Sequence, residues 1–425
     1  MKKFFRDLTW LVVLLALGYL GWQHVDLTRK NQILRATVAQ LEAERRELQQ
    51  RVAMPDATAK TEASETAREE VERDTSALRG LPFKRPVTYK MIGRDELHDF
   101  LVKKVKEQYS EQEVRDYSRS LAALGLVPEG TDLLAAMVSL YDEQVGAFYE
   151  PDERALYTFN DLAWSSGLDK MLLAHEITHA LQDQHFELST FPLKVKDNDD
   201  LALATAALIE GDATVLMTRY YGENADPAHT LTDLSAMLGQ NTEKLRTAPT
   251  YLREMLLFPY TQGQEFAMTL YAAGGNDAID ATFRNPPVCT KHILHPEQFL
   301  SDRRDPETVT LRSVASADWR LIGDNVLGEF GIRSLLEQHV GAFDAQRVAQ
   351  AWNGDRYHVY ERGTNGPTGL IWETAWEDEH SAADFKKLYQ QVLARRNVGG
   401  SVDQTANRVL VIQSDDQTFI ALAKK

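Results

Sequence analysis

Hydrophobic positions change period several times along the chain, and each change marks an expected boundary. Behind Lys2, Lys3 and Arg6 runs an uncharged, mostly apolar stretch from Leu8 to Trp22 with no small-x-small cleavage site after it. That pattern predicts an uncleaved membrane anchor over residues 1–25, with the leading positive charges held in the cytoplasm. Leu27, Leu34, Leu41 and Leu48 then recur every seventh residue, and Asn31, Val38, Arg45 and Val52 stand four places after each. This heptad pattern predicts a coiled coil over residues 26–54, expected to pair two copies as a homodimer through Leu27–Val52. Pro55 ends the repeat, and Asp56 to Gly80 is rich in Ala, Thr, Glu, Ser and Arg with almost no large apolar residue, so residues 55–80 are expected to be a flexible linker.

From Leu81 the pattern becomes globular. Apolar residues at three- and four-residue spacing predict helices over Arg94–Ser110, Glu111–Leu124 and Leu133–Asp142. The period then shortens to that of a strand, and Val145–Glu150 and Ala155–Phe159 predict a β-hairpin across Pro151-Asp152-Glu153-Arg154. Further helices are expected over Asp169–His185, Asp199–Tyr221 and Gly263–Ala273, the last stopped by Gly274-Gly275. After Asp305 the text changes again. Strands are expected at Thr308–Ser313, Leu370–Trp376, Arg408–Gln413 and Thr418–Ala423, and helices at Asn325–His339 and Ser381–Arg395. The fold class is α+β, divided into a catalytic domain over residues 81–304 and a C-terminal α+β domain over residues 305–425. The aromatic group Trp319, Trp352, Tyr357, Tyr360, Trp372 and Trp376 is expected to pack the second core.

Composition narrows the function. Lys and Arg total 47 against 63 Asp and Glu, a formal charge of -16, which disfavours a nucleic-acid partner. The single cysteine, Cys289, excludes an intramolecular disulfide and a Cys-rich zinc knuckle. Gly323, Gly328 and Gly331 lack phosphate-loop spacing.

The stretch that carries chemistry is Leu172-Leu173-Ala174-His175-Glu176-Ile177-Thr178-His179-Ala180-Leu181, an HExxH string within a helical pattern. Four residues are about one helical turn, so His175 and His179 share a face and both imidazoles reach one Zn2+. Glu176 stands beside them as a carboxylate free to accept a proton from an attacking water. Two residues compete for the third ligand position. Glu210, in Ala207-Leu208-Ile209-Glu210-Gly211-Asp212-Ala213, would come from a second helix running back along the first. His185 has the spacing of a three-histidine site, but Gln182 stands where that arrangement needs a glycine to double the chain back. A helix continuing through Gln182 turns His185 away from His179, which favours Glu210. Asp183 and Asp212 are candidates to accept a ring N–H from a ligand. Tyr149, Tyr260, Tyr271, His292 and His295 are candidate oxyanion donors, with His295 preferred for its irregular Pro-containing segment.

These residues resemble the gluzincin class of zinc metallopeptidases, in which a second helix supplies a ligating glutamate. Leu181-Gln182-Asp183-Gln184-His185-Phe186, Glu210-Gly211-Asp212-Ala213 and Leu294-His295-Pro296 are also similar to an uncharacterised bacterial group of HExxH peptidases. The resemblance implies a zincin-like fold, Zn2+ as cofactor, metal ligands His175, His179 and Glu210, and Glu176 as catalytic base. It also implies that the hairpin strand holds an extended polypeptide substrate. One departure is visible: Thr214 stands where a thermolysin-like second helix has Asp, so histidine orientation must come from elsewhere. The expectation is a single-pass protein of the inner membrane with an extracytoplasmic, periplasmic zinc peptidase domain. The alternative is an envelope scaffold with a structural or vestigial zinc site.

Overall fold

The computed structural model describes residues 57–144, 147–159, 166–224, 243–314 and 316–424; the expected anchor and coiled coil lie outside them. The expected linker is corrected at once. Ala57–Arg79 is a helix, α1, ended by Gly80 at φ 72°, a left-handed conformation that a side chain would strain. Its composition is that of good helix formers, and the narrow stripe Ala67, Val71, Thr75 and Leu78 supplies the inward face that its scarcity of large apolar residues concealed.

A small sheet follows, in the order β1 (Thr88–Ile92), β3 (Ala155–Phe159), β2 (Ala147–Glu150). The hairpin is as expected, with β2 and β3 antiparallel, while β1 is a strand that the sequence did not announce, parallel to β3. β3 is central and buried along its whole length, with β1 and β2 as the outer strands. Helices α2 (Arg94–Gln108), α3 (Glu111–Leu124) and α4 (Leu133–Gln144) lie between β1 and β2 in sequence.

The centre is helical. α5 (Gly167–Phe186) carries the HExxH string, and its face of Leu173, Ala174, Ile177 and Leu181 packs with Val71 of α1 and Leu156 of β3. α6 (Asp199–Asn224) packs against α5 and against α8 (Thr250–Arg284), which the short α7 (Glu243–Thr247) precedes. α6 is the one helix among the described residues long and apolar enough to cross a membrane, but most of it is buried as a core helix. The expected helix stop at Gly274-Gly275 is a kink inside α8, with Gly275 at φ 64°. α6 and α8 cross with almost no side-chain spacing. A Cβ on Gly211 would stand 2.1 Å from the carbonyl oxygen of Gly263, and one on Gly263 would stand 2.3 Å from that of Ala207. Gly211→Ala is therefore expected to push the helices apart and lower stability by about 1–3 kcal/mol, read from the denaturant midpoint. An unchanged midpoint would show that the crossing relaxes freely.

The C-terminal part is a five-stranded antiparallel sheet in the order β4 (Trp319–Asn325), β5 (Trp352–Arg362), β6 (Thr368–Trp376), β8 (Arg408–Ser414), β7 (Gly400–Thr405). Short helices α9 (Thr290–Leu294) and α10 (Pro296–Ser301) precede it, and α11 (Gly328–His339), α12 (Ala342–Ala349), α13 (Glu379–Arg396) and α14 (Gln417–Ala423) accompany it. Two strand expectations fail. Thr308–Ser313 has no ladder partner among the described residues, and Thr418–Ala423 belongs to α14, where Asp416 caps the first turn by accepting from Thr418 N–H at 2.9 Å. The six aromatics are all buried, as expected, and Asp355 accepts from the indole N–H of both Trp352 and Trp372 at 2.9 Å.

The packing runs across the expected boundary at residues 304/305. Residues 66–425 form one compact unit, and its largest core joins Leu121, Leu208 and Phe266 to Trp352, Trp372 and Val411. The fold class is α+β, with helices gathered at the centre and strands in two separate sheets.

Candidate metal centre

Three of the expected residues converge. His175 and His179 project from one face of α5, and Glu210 reaches them from the middle of α6. His175 Nε2 lies 3.1 Å from His179 Nε2 and 3.1 Å from Glu210 Oε2, and His179 Nε2 lies 3.4 Å from the same oxygen. Tetrahedral ligands about 2.0–2.1 Å from a metal stand roughly 3.3 Å apart, so the donor set fits a small divalent cation. The chemistry fits as well, since two aromatic nitrogens and a carboxylate crowded at these distances are satisfied together by one positive charge.

The electrostatics show the same mutual pull. Burial opposes charge on Glu210, yet the imidazoles of His179 and His175 hold its carboxyl well below the usual range. Burial likewise opposes charge on His179, but Glu210 overrides it and lifts the imidazole to about 9. Burial pushes the Glu176 carboxyl up, against the pull of both histidines. Glu176 points to the sheet side of α5, where its Oε2 accepts the backbone N–H of Tyr149 on the edge strand β2 at 2.8 Å.

His185 is not part of the cluster. α5 continues through Gln182, and His185 turns away to bond the carbonyl of Pro82 at 2.8 Å. The expected orienting roles of Asp183 and Asp212 need correction. Asp183 accepts from the hydroxyl of Tyr149 at 2.8 Å and pairs with Arg85 at 2.9 Å, without a hydrogen bond to His175 or His179. The group that meets His179 Nδ1 is the amide oxygen of Gln182, at 2.9 Å, and Asp212 lies behind it. His175 Nδ1 is buried without a hydrogen-bond partner among the described residues. In the sequence Gln182 counted only as a missing glycine.

The structure does not bring His295 to this cluster. Its Nε2 lies 2.8 and 3.0 Å from the two carboxylate oxygens of Glu329, and it borders a cleft of about 550 Å3 with Lys291, Gln298 and Glu377. Glu329 belongs to the surroundings of Asp200, ten residues and about 15 Å of helix from Glu210. His292 bonds the carbonyl of Arg304 at 2.9 Å, and Tyr271 stacks under Arg219. Among the five candidate donors, Tyr260 has its ring beside His175, with centroids 6.2 Å apart and planes inclined by 27°.

A family described as a domain of unknown function (DUF8575) matches residues 319–424, from β4 to α14, a stretch that contains none of the clustered residues. No curated protein and no solved structure matches the chain.

Proposed function

We propose that the protein is a zinc metallopeptidase of zincin-like architecture, membrane-anchored through its N-terminal segment and facing the extracytoplasmic side. The observation that carries this reading is the convergence of His175, His179 and Glu210 at mutual distances of 3.1–3.4 Å with Glu176 adjacent on the same helix. Three protein ligands among the described residues leave a coordination position for water or substrate, the pattern of catalytic rather than structural zinc. When bound, the metal supplies Lewis acidity to the scissile carbonyl and acidity to a coordinated water.

The chain's own residues then do the rest. The Tyr149 amide fixes Glu176 Oε2, leaving the other carboxylate oxygen to take the water's proton and deliver it to the leaving amine. Burial, which raises the affinity of Glu176 for a proton, suits that double role. An extended peptide adds along the edge strand β2, gaining backbone hydrogen bonds with little sequence demand. Tyr260, whose ring lies beside that of His175, is the candidate donor to the developing oxyanion in place of His295.

Bound metal, measured by elemental analysis, tests the ligand set. Wild type is expected to carry stoichiometric zinc, Glu210→Ala to lose it, and His185→Ala to keep it. Retention by Glu210→Ala together with loss in His185→Ala would overturn the assignment.

A further inference from the structure

We propose that Gln182 fixes the proton position on His179, and that Asp212 and Arg79 hold Gln182 in the only orientation that does so. The inference deepens the metallopeptidase reading and rests on it. Gln182 is wholly buried, and its side-chain nitrogen lies 3.0 Å from the carbonyl oxygen of Ile209 and 2.9 Å from Asp212 Oδ2. Both neighbours are acceptors only, so the end of the amide that faces them must be the NH2 group. The amide oxygen is thereby turned to His179 Nδ1 at 2.9 Å, where it can only accept.

The consequence falls on the other ring nitrogen. With a metal bound, Nδ1 would carry the ring hydrogen and Nε2 would turn its lone pair to the position it shares with His175 Nε2 and Glu210 Oε2. A flipped amide would set NH2 against Nδ1, move the ring hydrogen to Nε2 and remove a ligand. It would also press the amide oxygen against a carbonyl and a carboxylate, leaving buried acceptors unpaired. Metal-binding histidines are commonly oriented by a carboxylate or backbone carbonyl. Here a neutral amide does this, and its direction is set one step further back.

That further step reaches α1. Asp212 Oδ2 also accepts from Arg79 Nε at 3.0 Å, and Arg79 Nη2 lies 2.8 Å from Asp280 Oδ1 on α8. Arg79 is the last residue of α1, held in register by Asn276, which donates to the carbonyl of Leu78 at 2.9 Å from just beyond the α8 kink. The chain Arg79, Asp212, Gln182, His179 therefore ties three helices to one ring nitrogen. Gln182, Asp212 and Arg79 are positioning residues, since none of them is in the ligand cluster.

The test uses the purified full-length protein, with Zn2+ affinity from competition against a chromophoric chelator and the absorption of the Co2+-loaded form, both per folded molecule. Gln182→Leu is expected to weaken Zn2+ binding about 10–100-fold and to shift the Co2+ bands. Gln182→Glu combined with Asp212→Asn keeps an acceptor against Nδ1 but sets a carboxylate oxygen against the Ile209 carbonyl, and is expected to recover only part of the loss. A folded Gln182→Leu protein with wild-type affinity and an unchanged Co2+ spectrum overturns the inference. The imidazole 15N spectrum of Zn2+-loaded wild type decides the matter without any variant: a slowly exchanging Nδ1–H on His179 supports it, and a rapidly exchanging one overturns it. Wild type that takes up no Zn2+ overturns the metallopeptidase reading itself, an outcome distinct from all of these.

Discussion

The Glu176→Gln protein is expected to keep its zinc and lose peptide cleavage by about 10²–10⁴-fold, the usual contribution of a positioned general base. The substitution is nearly isosteric, and the amide oxygen introduced at position 176 can still accept the Tyr149 N–H that Glu176 Oε2 takes at 2.8 Å. What it cannot do is accept and return a proton. His175, His179 and Glu210 keep their convergence, because Glu176 contributes no atom to that cluster. Elemental analysis beside cleavage of an unstructured polypeptide reads both halves of the expectation. Full activity in a zinc-replete Glu176→Gln protein would remove the proposed base, while equal loss of zinc and activity would make Glu176 a ligand.

Arg79→Met is expected to lower stability by about 3–5 kcal/mol, the cost of stranding buried charge by removing its partner. Arg79 is 0% exposed and stands between Asp212 at 2% and Asp280 at 15%. Burial alone would favour loss of the guanidinium charge, but the two carboxylates more than compensate and raise its affinity for the proton. Methionine fills much of the same volume, so the loss reports the uncompensated carboxylates more than a cavity. Adding Asp212→Asn to Arg79→Met removes one stranded charge and should return part of the lost stability, a coupling that a double-mutant cycle in chemical denaturation measures. Identical denaturant midpoints for Arg79→Met and wild type would mean that the buried ion pairs contribute nothing net.

Much of the site was legible because its logic is local. The four-residue spacing of His175 and His179 sets a shared helix face whatever surrounds it. The continuation of α5 through Gln182 was readable from the missing glycine, and it is what sends His185 to Pro82. The hairpin was readable for the same reason, since a run of aromatic residues on either side of a turn-prone tetrad is a short-range signal. Where those signals were ambiguous, the reading went astray. Thr418–Ala423 is a short apolar run that could be strand or helix, but the Asp416 cap and the packing of Phe419 in the second sheet's small core make it a helix. Residues 57–79 looked too polar to fold, yet a narrow face of small side chains suffices when a larger core receives it.

The sequence by itself determined the chemistry on offer: two imidazoles one turn apart, a carboxylate beside them, and an acidic chain with a single cysteine. Only the tertiary structure decided how that chemistry is held. Gln182 becomes a ring-orienting acceptor because Ile209 and Asp212, 27 and 30 residues away, take its NH2 group. Asp212 is paired because Arg79, 133 residues away in sequence, closes α1 against it. Glu176 is aimed because the edge strand β2 brings one backbone N–H to α5. Propensity and periodicity act over a few residues, whereas these contacts exist only after distant elements share a core, so no local pattern could announce them.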